Sequence, residues 1–281
     1  MEHTGFKSMP NSVAAATTGE ATADTTLPLF FKSLTALNRN LHAGLRFDRR
    51  NKRYGYASHA PAIPLSISEF NVAADQYPIV FSRGPNPGAL AMVGIREGEN
   101  LYVQEDKTWQ PDVYIPAYVR QYPFIFIEQP ETNLWVCGLD STAECIAGQG
   151  VPLFDNGEPT QALQEAMQLC SSYREYSRLT HEFCRALDDA GLLVEKQVMI
   201  TFKNGTTSRL DGLRVIDAAR FDALDDAKIN EFRKRGWLAP IFAHFTSERR
   251  WPKLIELGTR GDTEEDAPTS ERVSERKRPG R

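Results

Sequence analysis

The chain is most apolar just after residue 123, at the end of a segment in which polar turns and prolines alternate with apolar runs. Residues 98–128 read GENLYVQEDKTWQPDVYIPAYVRQYPFIFIE. Pro116 suits the first turn of a helix, whereas Pro123 must end that helix. The FIFI run that follows has no polar position on either face, as is typical of a strand in the middle of a sheet. We therefore predict that residues 124–128 form the central strand of the fold.

An Ile-Pro dipeptide followed by Gln-Tyr-Pro and an apolar run occurs twice. The first instance joins residues 63–64 to residues 76–78, and the second joins residues 115–116 to residues 121–123. Because a proline moves the preceding residue out of the α region, each Gln-Tyr-Pro should end a short helix and begin a strand. An internal duplication would explain the pair, and so would convergence on the same corner.

Short apolar runs separated by brief turns predict five strands in the first half of the chain. They lie near residues 79–82, 89–95, 100–104, 124–128 and 134–139. Strands this close in sequence are antiparallel, because a parallel pair needs a crossover of about a dozen residues or more. We therefore predict a mainly antiparallel sheet of about five strands.

The second half of the chain has a helical pattern. Apolar side chains recur at three- and four-residue steps across residues 158–190, which predicts one long helical segment. Residues 198–202 then alternate in polarity before Asn204-Gly205, which indicates an added hairpin with a type I′ turn. Asp225 should cap the first of the helices that complete the chain. Together these patterns predict an α+β fold, in which the long helix, the hairpin and the C-terminal helices pack on the antiparallel sheet.

Three further predictions concern the organisation of the chain. Leucines at 34, 37, 41 and 45 recur at helical spacing, which predicts a first helix. Residues 1–26 contain almost no large apolar side chain and are predicted to be a disordered leader. Residues 27–258 should form a single domain. Residues 259–281 carry charges of both signs with little apolar surface, and are predicted to be a disordered tail.

Charge and composition exclude several classes of function. The 281 residues carry a formal net charge of −4, with a pI of about 5.8. The acidic excess gives no overall electrostatic reason to bind nucleic acid, which needs a basic surface. No apolar run approaches the ~18 residues of a membrane span, so we predict no membrane insertion. The N-terminus lacks a secretory pattern, so we expect a cytoplasmic protein. The sequence holds no signal for the oligomeric state.

The residues that usually perform catalysis or bind metals are dispersed along the sequence. No two of the five histidines lie close together, and the four cysteines show no zinc-ligand spacing. The sequence contains neither a GxSxG nucleophile motif nor a phosphate-binding glycine loop. We therefore predict free thiols, no metal site and no cofactor, and we assign no catalytic residue.

Polar residues set among apolar ones are the candidates for ligand binding. They are Asn38, His42, Arg46, Arg120, Tyr122 and His244. The first three would share one face of the predicted first helix, where they would either hold a carboxylate or phosphate group or form a solvated face. Arg120 and Tyr122 adjoin the predicted central strand, where an arginine needs either an internal ion pair or a ligand. His244 stands in an apolar stretch and is interpreted as a hydrogen-bonded core histidine.

Several distinctive segments follow one another between residues 27 and 257. They read LNRNLHAGLRF, YPIVFSRG, GENLYV, YIPAYVRQYPF, GVPLFDNGEPT, LDGLRVID and RKRGWLAPIFAHF. This succession resembles the bacterial SapC family. A peptide-transporter permease has the same name, but a permease spans the membrane several times, which this sequence cannot do.

The resemblance implies a link to surface-layer loci and to neighbouring genes for TonB-dependent receptors, tryptophan-halogenase-like flavoproteins and cupin-like oxygenases. It supplies no catalytic residue. The implied function is that of a soluble accessory protein that binds a protein partner or a small ligand in a surface-layer or outer-membrane nutrient-uptake system. The alternative is an enzyme, metal-dependent in one form, that modifies a peptide or a sugar. That alternative requires His42, Arg120 and His244 to meet in one pocket.

Overall fold

A computed structural model describes residues 27–48, 52–129, 134–146, 150–202, 205 and 207–260. Within these ranges the strands are β1 (Thr35–Ala36), β2 (Arg46–Phe47), β3 (Ala62–Pro64), β4 (Ile79–Ser82), β5 (Ala89–Met92), β6 (Phe124–Gln129), β7 (Leu134–Leu139), β8 (Val151–Pro152), β9 (Phe154–Asp155), β10 (Glu158–Pro159), β11 (Leu193–Thr201) and β12 (Thr207–Ile216). The α-helices are α1 (Phe70–Ala74), α2 (Ala117–Gln121), α3 (Gln161–Asp189), α4 (Ala218–Asp222), α5 (Asp226–Lys234), α6 (Leu238–Ser247) and α7 (Trp251–Thr259). The predicted leader, 1–26, and the predicted tail from residue 261 onward lie outside the described residues.

The larger sheet is antiparallel and has five strands in the order β11-β12-β4-β5-β3. The β11–β12 hairpin joins the sheet through β12, where Arg214 lies opposite Phe81 of β4. The hairpin is therefore part of the main sheet rather than an addition to it. The sheet and the helices α1, α3 and α6 enclose the larger of two hydrophobic cores. The predicted α+β class with a five-stranded antiparallel sheet is confirmed.

Residues 124–129 do not lie at the centre of that sheet, contrary to the prediction. In the described part of the chain, β6 is an edge strand of a separate three-stranded sheet with the order β1-β7-β6. Phe124 and Phe126 face the second, smaller core, whereas Ile125 and Ile127 on the other face are half-buried. A half-buried isoleucine looks the same as a buried one in the sequence, since apolar side chains also form much of a normal protein surface. The apolar run therefore predicted the right element in the wrong sheet.

The long helix α3 confirms the predicted helical segment and connects the two cores. Its 29 residues extend over roughly 43 Å. Leu163 and Cys170 in its first half pack into the smaller core. Phe183 and Leu187 in its second half pack into the larger core. No helix in the described ranges, α3 included, combines the length and the apolar character that a membrane crossing needs.

The leucine spacing at residues 34–45 does not produce a helix. The segment instead forms the short strand β1 and a turn that leads into β2. The side-chain oxygen of Asn38 accepts hydrogen bonds from the backbone N–H groups of Asn40 and Leu41, at 2.8 and 3.2 Å. These bonds compete with helical hydrogen bonding. Leu41 is 80% exposed, so the leucines do not share a buried face.

The two Ile-Pro corners are only partly alike. Both Gln-Tyr-Pro segments follow a helix and precede a strand, β4 in the first instance and β6 in the second. In the second instance Pro116 is the N-cap of α2, as its position predicts. In the first instance Pro64 still belongs to β3, and a capping box of Ser66 and Glu69 begins the helical stretch instead.

Residues 100–104 form a compact loop rather than the predicted strand. The side chain of Asn100 donates to the carbonyl oxygen of Ala57 and accepts from the backbone N–H of Tyr102, both at 3.0 Å. Tyr102 is buried in the larger core. The asparagine at the start of the run therefore directs it into a turn, because its side chain offers the backbone an alternative to sheet pairing.

Replacing Gly94 with alanine is expected to lower the free energy of unfolding by about 2–3 kcal/mol. A Cβ atom at this position would overlap the carbonyl oxygen of Glu99 and lie 3.1 Å from the Cα of Pro61. Urea denaturation followed by circular dichroism measures the change. Gly44→Ala is the matched control, because nothing lies within 4 Å of a Cβ there, and it should stay within about 0.5 kcal/mol of wild type. Equal stability of the two variants would contradict the prediction.

A type I′ turn occurs at an Asn-Gly pair that was not predicted. Asn156 and Gly157, with φ of 49° and 82°, join β9 to β10. Positive φ at both central residues is the signature of this turn. At the predicted position, the hairpin of β11 and β12 is confirmed, but Asn204 lies outside the described residues. Gly205 has a φ of 80°, and its N–H donates to the carbonyl oxygen of Phe202 at 2.9 Å.

Candidate functional site

A cleft of about 610 Å³ opens where the two cores meet. Tyr54, Tyr56 and Val103 on one side pack on the larger core. Phe47 and Tyr122 on the other side pack on the smaller core. The lining comes from Lys32 and from the stretches 47–48, 52–59, 103–107, 120–122 and 142–145. Parts of the chain as far apart in sequence as Lys32 and residues 142–145 therefore form one site.

Two tyrosines, one from each side of the cleft, stack on each other. The ring centroids of Tyr56 and Tyr122 are 4.1 Å apart, with 30° between the ring planes. The Tyr56 hydroxyl donates to the carbonyl oxygen of Val119 at 2.8 Å. The Tyr122 hydroxyl donates to Oδ2 of Asp140 at 3.2 Å. Burial raises the pKa of both tyrosines, so both stay neutral. The two hydrogen bonds hold their rings at the junction of the cores.

The cleft is positively charged in a chain that is negative overall. Five of its side chains are lysine or arginine and three are aspartate or glutamate, whereas the whole chain has a net charge of −4. Lys107 and Glu144 form an ion pair at 3.1 Å. The side-chain ammonium groups of Lys32 and Lys52 form no ion pair with a carboxylate in the part of the chain that the structure describes. The cleft thus presents cations that a ligand of negative charge would complement.

Arg120 lies at the wall of the cleft with an exposed side chain. Its Nε donates to the carbonyl oxygen of Ile115 at 2.9 Å, and its Nη2 donates to the hydroxyl oxygen of Tyr114 at 3.2 Å. The guanidinium carbon is 5.7 Å from the centre of the Tyr114 ring. Among the described residues no carboxylate pairs with Arg120, so the internal ion pair that its position suggested is not formed. An exposed arginine does not need such a partner.

Tyr114 is itself held by a buried carboxylate. Oε1 of Glu69 accepts hydrogen bonds from the Tyr114 hydroxyl at 2.9 Å and from the backbone N–H of Ala117 at 2.6 Å. Oε2 accepts from the backbone N–H and the hydroxyl of Ser66, at 3.0 and 2.6 Å. Glu69 follows the first Ile-Pro dipeptide and Ala117 follows the second. This one carboxylate therefore joins the two related corners of the fold.

Asp140 supports the opposite side of the cleft and is fully buried. Oδ2 accepts from the backbone N–H of Lys32 at 2.8 Å, in addition to the hydroxyl of Tyr122. Oδ1 accepts from the backbone N–H and the hydroxyl of Thr142, at 3.0 and 2.6 Å. Burial opposes ionisation, but the hydrogen bonds from Lys32 and Thr142 outweigh it and lower the pKa of Asp140. The charged carboxylate fixes the backbone that holds Lys32 at the cleft.

Asn38, His42 and Arg46 do not line the cleft. Nδ1 of His42 accepts a hydrogen bond from the backbone N–H of Asn38 at 3.0 Å, so these two residues meet on a turn rather than on a helix face. Arg46 lies in β2, and its Nε donates to the carbonyl oxygen of Gly150 at 3.0 Å. Asn38 and His42 are therefore bonded to each other, whereas Arg46 is bonded to a segment that is distant in the sequence.

His244 is fully buried in the larger core. Its Nε2 accepts from the backbone N–H of Ile216 at 3.5 Å, as expected of a core histidine. Burial, with a smaller contribution from the positive charge of Lys196, lowers the pKa of His244 to about 3. His42, Arg120 and His244 do not converge on one pocket. Within the described ranges, no group of three or more histidine, cysteine or acidic side chains is arranged to hold a metal ion.

Most of the cleft was not predicted from the sequence. Lys52, Arg53, Tyr54 and Tyr56 all come from residues 46–56, which read RFDRRNKRYGY. A basic run followed by two closely spaced tyrosines is a recognisable signal of an anion-binding surface. The sequence contains that signal, but the contact of this segment with distant parts of the chain is set by packing.

A family model described as SapC matches residues 37–254. The matched region includes every described lining residue of the cleft except Lys32. No curated protein and no solved structure matches the chain.

Proposed function

The chain belongs to the SapC family, and from this premise we propose that it is a binding protein whose cleft takes up a small anionic molecule. We further propose that it acts from the cytoplasm as an accessory protein, with a protein partner, in a bacterial surface-layer or outer-membrane nutrient-uptake system. The cleft supports the first proposal, and the family resemblance supports the second.

The charge of the cleft is the observation that carries the binding proposal. Its five cationic and three anionic side chains leave an excess of two positive charges, and the ammonium groups of Lys32 and Lys52 have no carboxylate partner among the described residues. Such groups are available to a ligand of opposite charge. Tyr54, Tyr56 and Tyr122 add aromatic surface for the uncharged part of that ligand. The volume of the cleft, about 610 Å³, also lies within the range of roughly 300–1,000 Å³ that is typical of small-molecule sites.

Binding is better supported than catalysis. The enzyme alternative required His42, Arg120 and His244 in one pocket, and of these only Arg120 lines the cleft. His42 is bonded within a turn, and His244 is neutral in the core because its pKa is lowered to about 3. We therefore assign no catalytic role to these residues.

Reversing the charge of both cleft lysines, Lys32→Glu with Lys52→Glu, is expected to weaken the binding of phenyl phosphate by about tenfold or more. Phenyl phosphate is the probe because it joins an anion to an aromatic ring that the tyrosines can contact. Isothermal titration calorimetry at low ionic strength measures the dissociation constant. Low salt is needed because screening weakens interactions between exposed charges.

The matched control reverses Lys234 and Lys253 instead. Both are exposed, on α5 and α7, and neither lines the cleft. This double variant changes the net charge of the chain by the same amount, so it separates a local effect from a global one. Equal loss of affinity in the two double variants, or no binding of the probe by the wild-type protein, would contradict the proposed function.

A further inference from the structure

Some of the N–H donors of the Arg120 guanidinium already form hydrogen bonds within the protein. A guanidinium has five N–H donors. Two of them are used by Ile115 and by the hydroxyl oxygen of Tyr114. The other donors have no partner in the described ranges, and Arg120 lines the cleft. The side chain is therefore anchored on one side and available to a ligand on the other.

The anchor is rigid because Tyr114 is fixed in turn. Its hydroxyl donates to Glu69, a residue that is 5% exposed and whose carboxylate accepts three further hydrogen bonds. Burial, together with the charge of Glu69, raises the pKa of Tyr114 to about 12. The hydroxyl therefore keeps its proton at neutral pH, so it donates to Glu69 and accepts from Arg120 at the same time.

Arg120 lines the same cleft as the tyrosines Tyr54, Tyr56 and Tyr122. A planar guanidinium beside an aromatic ring suits a ligand that carries a carboxylate or phosphate group next to a ring, since the fork of N–H donors matches two oxygen atoms of either group.

We propose that Tyr114 is a positioning residue, which holds the Arg120 guanidinium so that its remaining N–H donors bind the carboxylate or phosphate group of the ligand. The inference rests on the proposed function, because it specifies how the same cleft recognises its anion. An arginine held in place before binding loses less side-chain freedom when the ligand arrives, and so binds more tightly than a free one. Tyr114 and Glu69 contribute to affinity without contacting the ligand.

Tyr114→Phe tests the inference, because it removes the hydroxyl and keeps the ring. We expect the dissociation constant of phenyl phosphate to rise about five- to tenfold. Benzoate is titrated in parallel, and the probe with the larger loss identifies whether phosphate or carboxylate is the group that Arg120 binds. Tyr118→Phe is the matched control. Its hydroxyl donates to the carbonyl oxygen of Leu29 at 3.2 Å, and it does not line the cleft, so the affinity should be unchanged.

A double-mutant cycle separates positioning from a general loss of structure. If Tyr114 acts through Arg120, the Tyr114→Phe change should alter the dissociation constant by less than about twofold when Arg120 is already alanine. An equal factor in both backgrounds, or a loss of affinity in Tyr118→Phe as large as in Tyr114→Phe, would overturn the inference.

The two proposals fail in different ways. If wild-type protein binds a probe, and reversal of Lys32 and Lys52 weakens binding by about tenfold or more while the cycle is additive, the proposed function stands and the role of Tyr114 is refuted. If wild-type protein binds neither phenyl phosphate nor benzoate, the proposed function is refuted and the role of Tyr114 with it.

Discussion

The Glu69→Ala variant is expected to unfold with a free energy about 4 kcal/mol below that of the wild-type protein. The Glu69 carboxylate accepts four hydrogen bonds, from Ser66, Tyr114 and Ala117. A hydrogen bond to a charged group contributes roughly 1.5–3 kcal/mol, and the burial of the carboxylate offsets part of the sum. Alanine would leave the backbone N–H groups of Ser66 and Ala117 without this acceptor in the interior. The effect is large because one side chain holds two separate corners of the chain.

Urea denaturation at pH 7 measures this difference. Glu195→Ala is the matched control, since Glu195 forms a surface ion pair with Arg83 at 3.0 Å and its side chain is 65% exposed. A pair of that kind contributes at most about 1 kcal/mol. A loss below about 1 kcal/mol in Glu69→Ala would show that water or neighbouring groups replace the carboxylate.

Lowering the pH from 7 to 4 is expected to remove about 3 kcal/mol of stability through His244 alone. Its pKa is about 3 in the folded protein, against about 6.5 for a histidine in an unfolded chain. Below pH 6.5 the unfolded state therefore binds a proton that the folded state does not. The stabilising contribution is fully present above that pH and is lost progressively as the pH falls towards 3.

His244→Gln isolates this effect, because glutamine can accept from the N–H of Ile216 but does not titrate. The stability of the variant, measured by urea denaturation at several pH values, should fall by about 3 kcal/mol less than that of wild type between pH 7 and pH 4. Asp140 also has a lowered pKa, but its contribution is lost only below the unfolded value of about 3.9, outside this window. Parallel curves for the two proteins would refute the prediction.

The parts of the fold that the sequence predicts are those with a long, uninterrupted period. Helix α3 and the hairpin of β11 and β12 each repeat one pattern over many residues, so local deviations do not obscure them. The segment 34–45 has the same leucine spacing over a shorter length, and the side chain of Asn38 redirects its backbone. The apolar run at 124–128 gave a strand, but its place in a sheet depends on partners elsewhere in the chain.

The residues of the candidate site also fall into two groups, those that the sequence predicts and those that it does not. The sequence predicts Arg120 and Tyr122 as candidates because they are polar residues beside an apolar strand, and both line the cleft. Lys32 could not be found by such an argument, because its position is fixed by the bond of its backbone N–H to Asp140, 108 residues away. The spacing of residues within a segment identifies which polar side chains lie on one helix or strand. It does not identify which distant segment of the chain packs opposite them.

The continuity of α3 restricts how the length of the chain can change. The helix has about 3.6 residues per turn, so one residue inserted between Cys170 and Phe183 would rotate one half against the other by about 100°. Either the smaller or the larger core would then receive a polar face of the helix in place of its apolar one. This stretch should accept substitutions on its exposed side, while single-residue insertions and deletions should be eliminated during evolution.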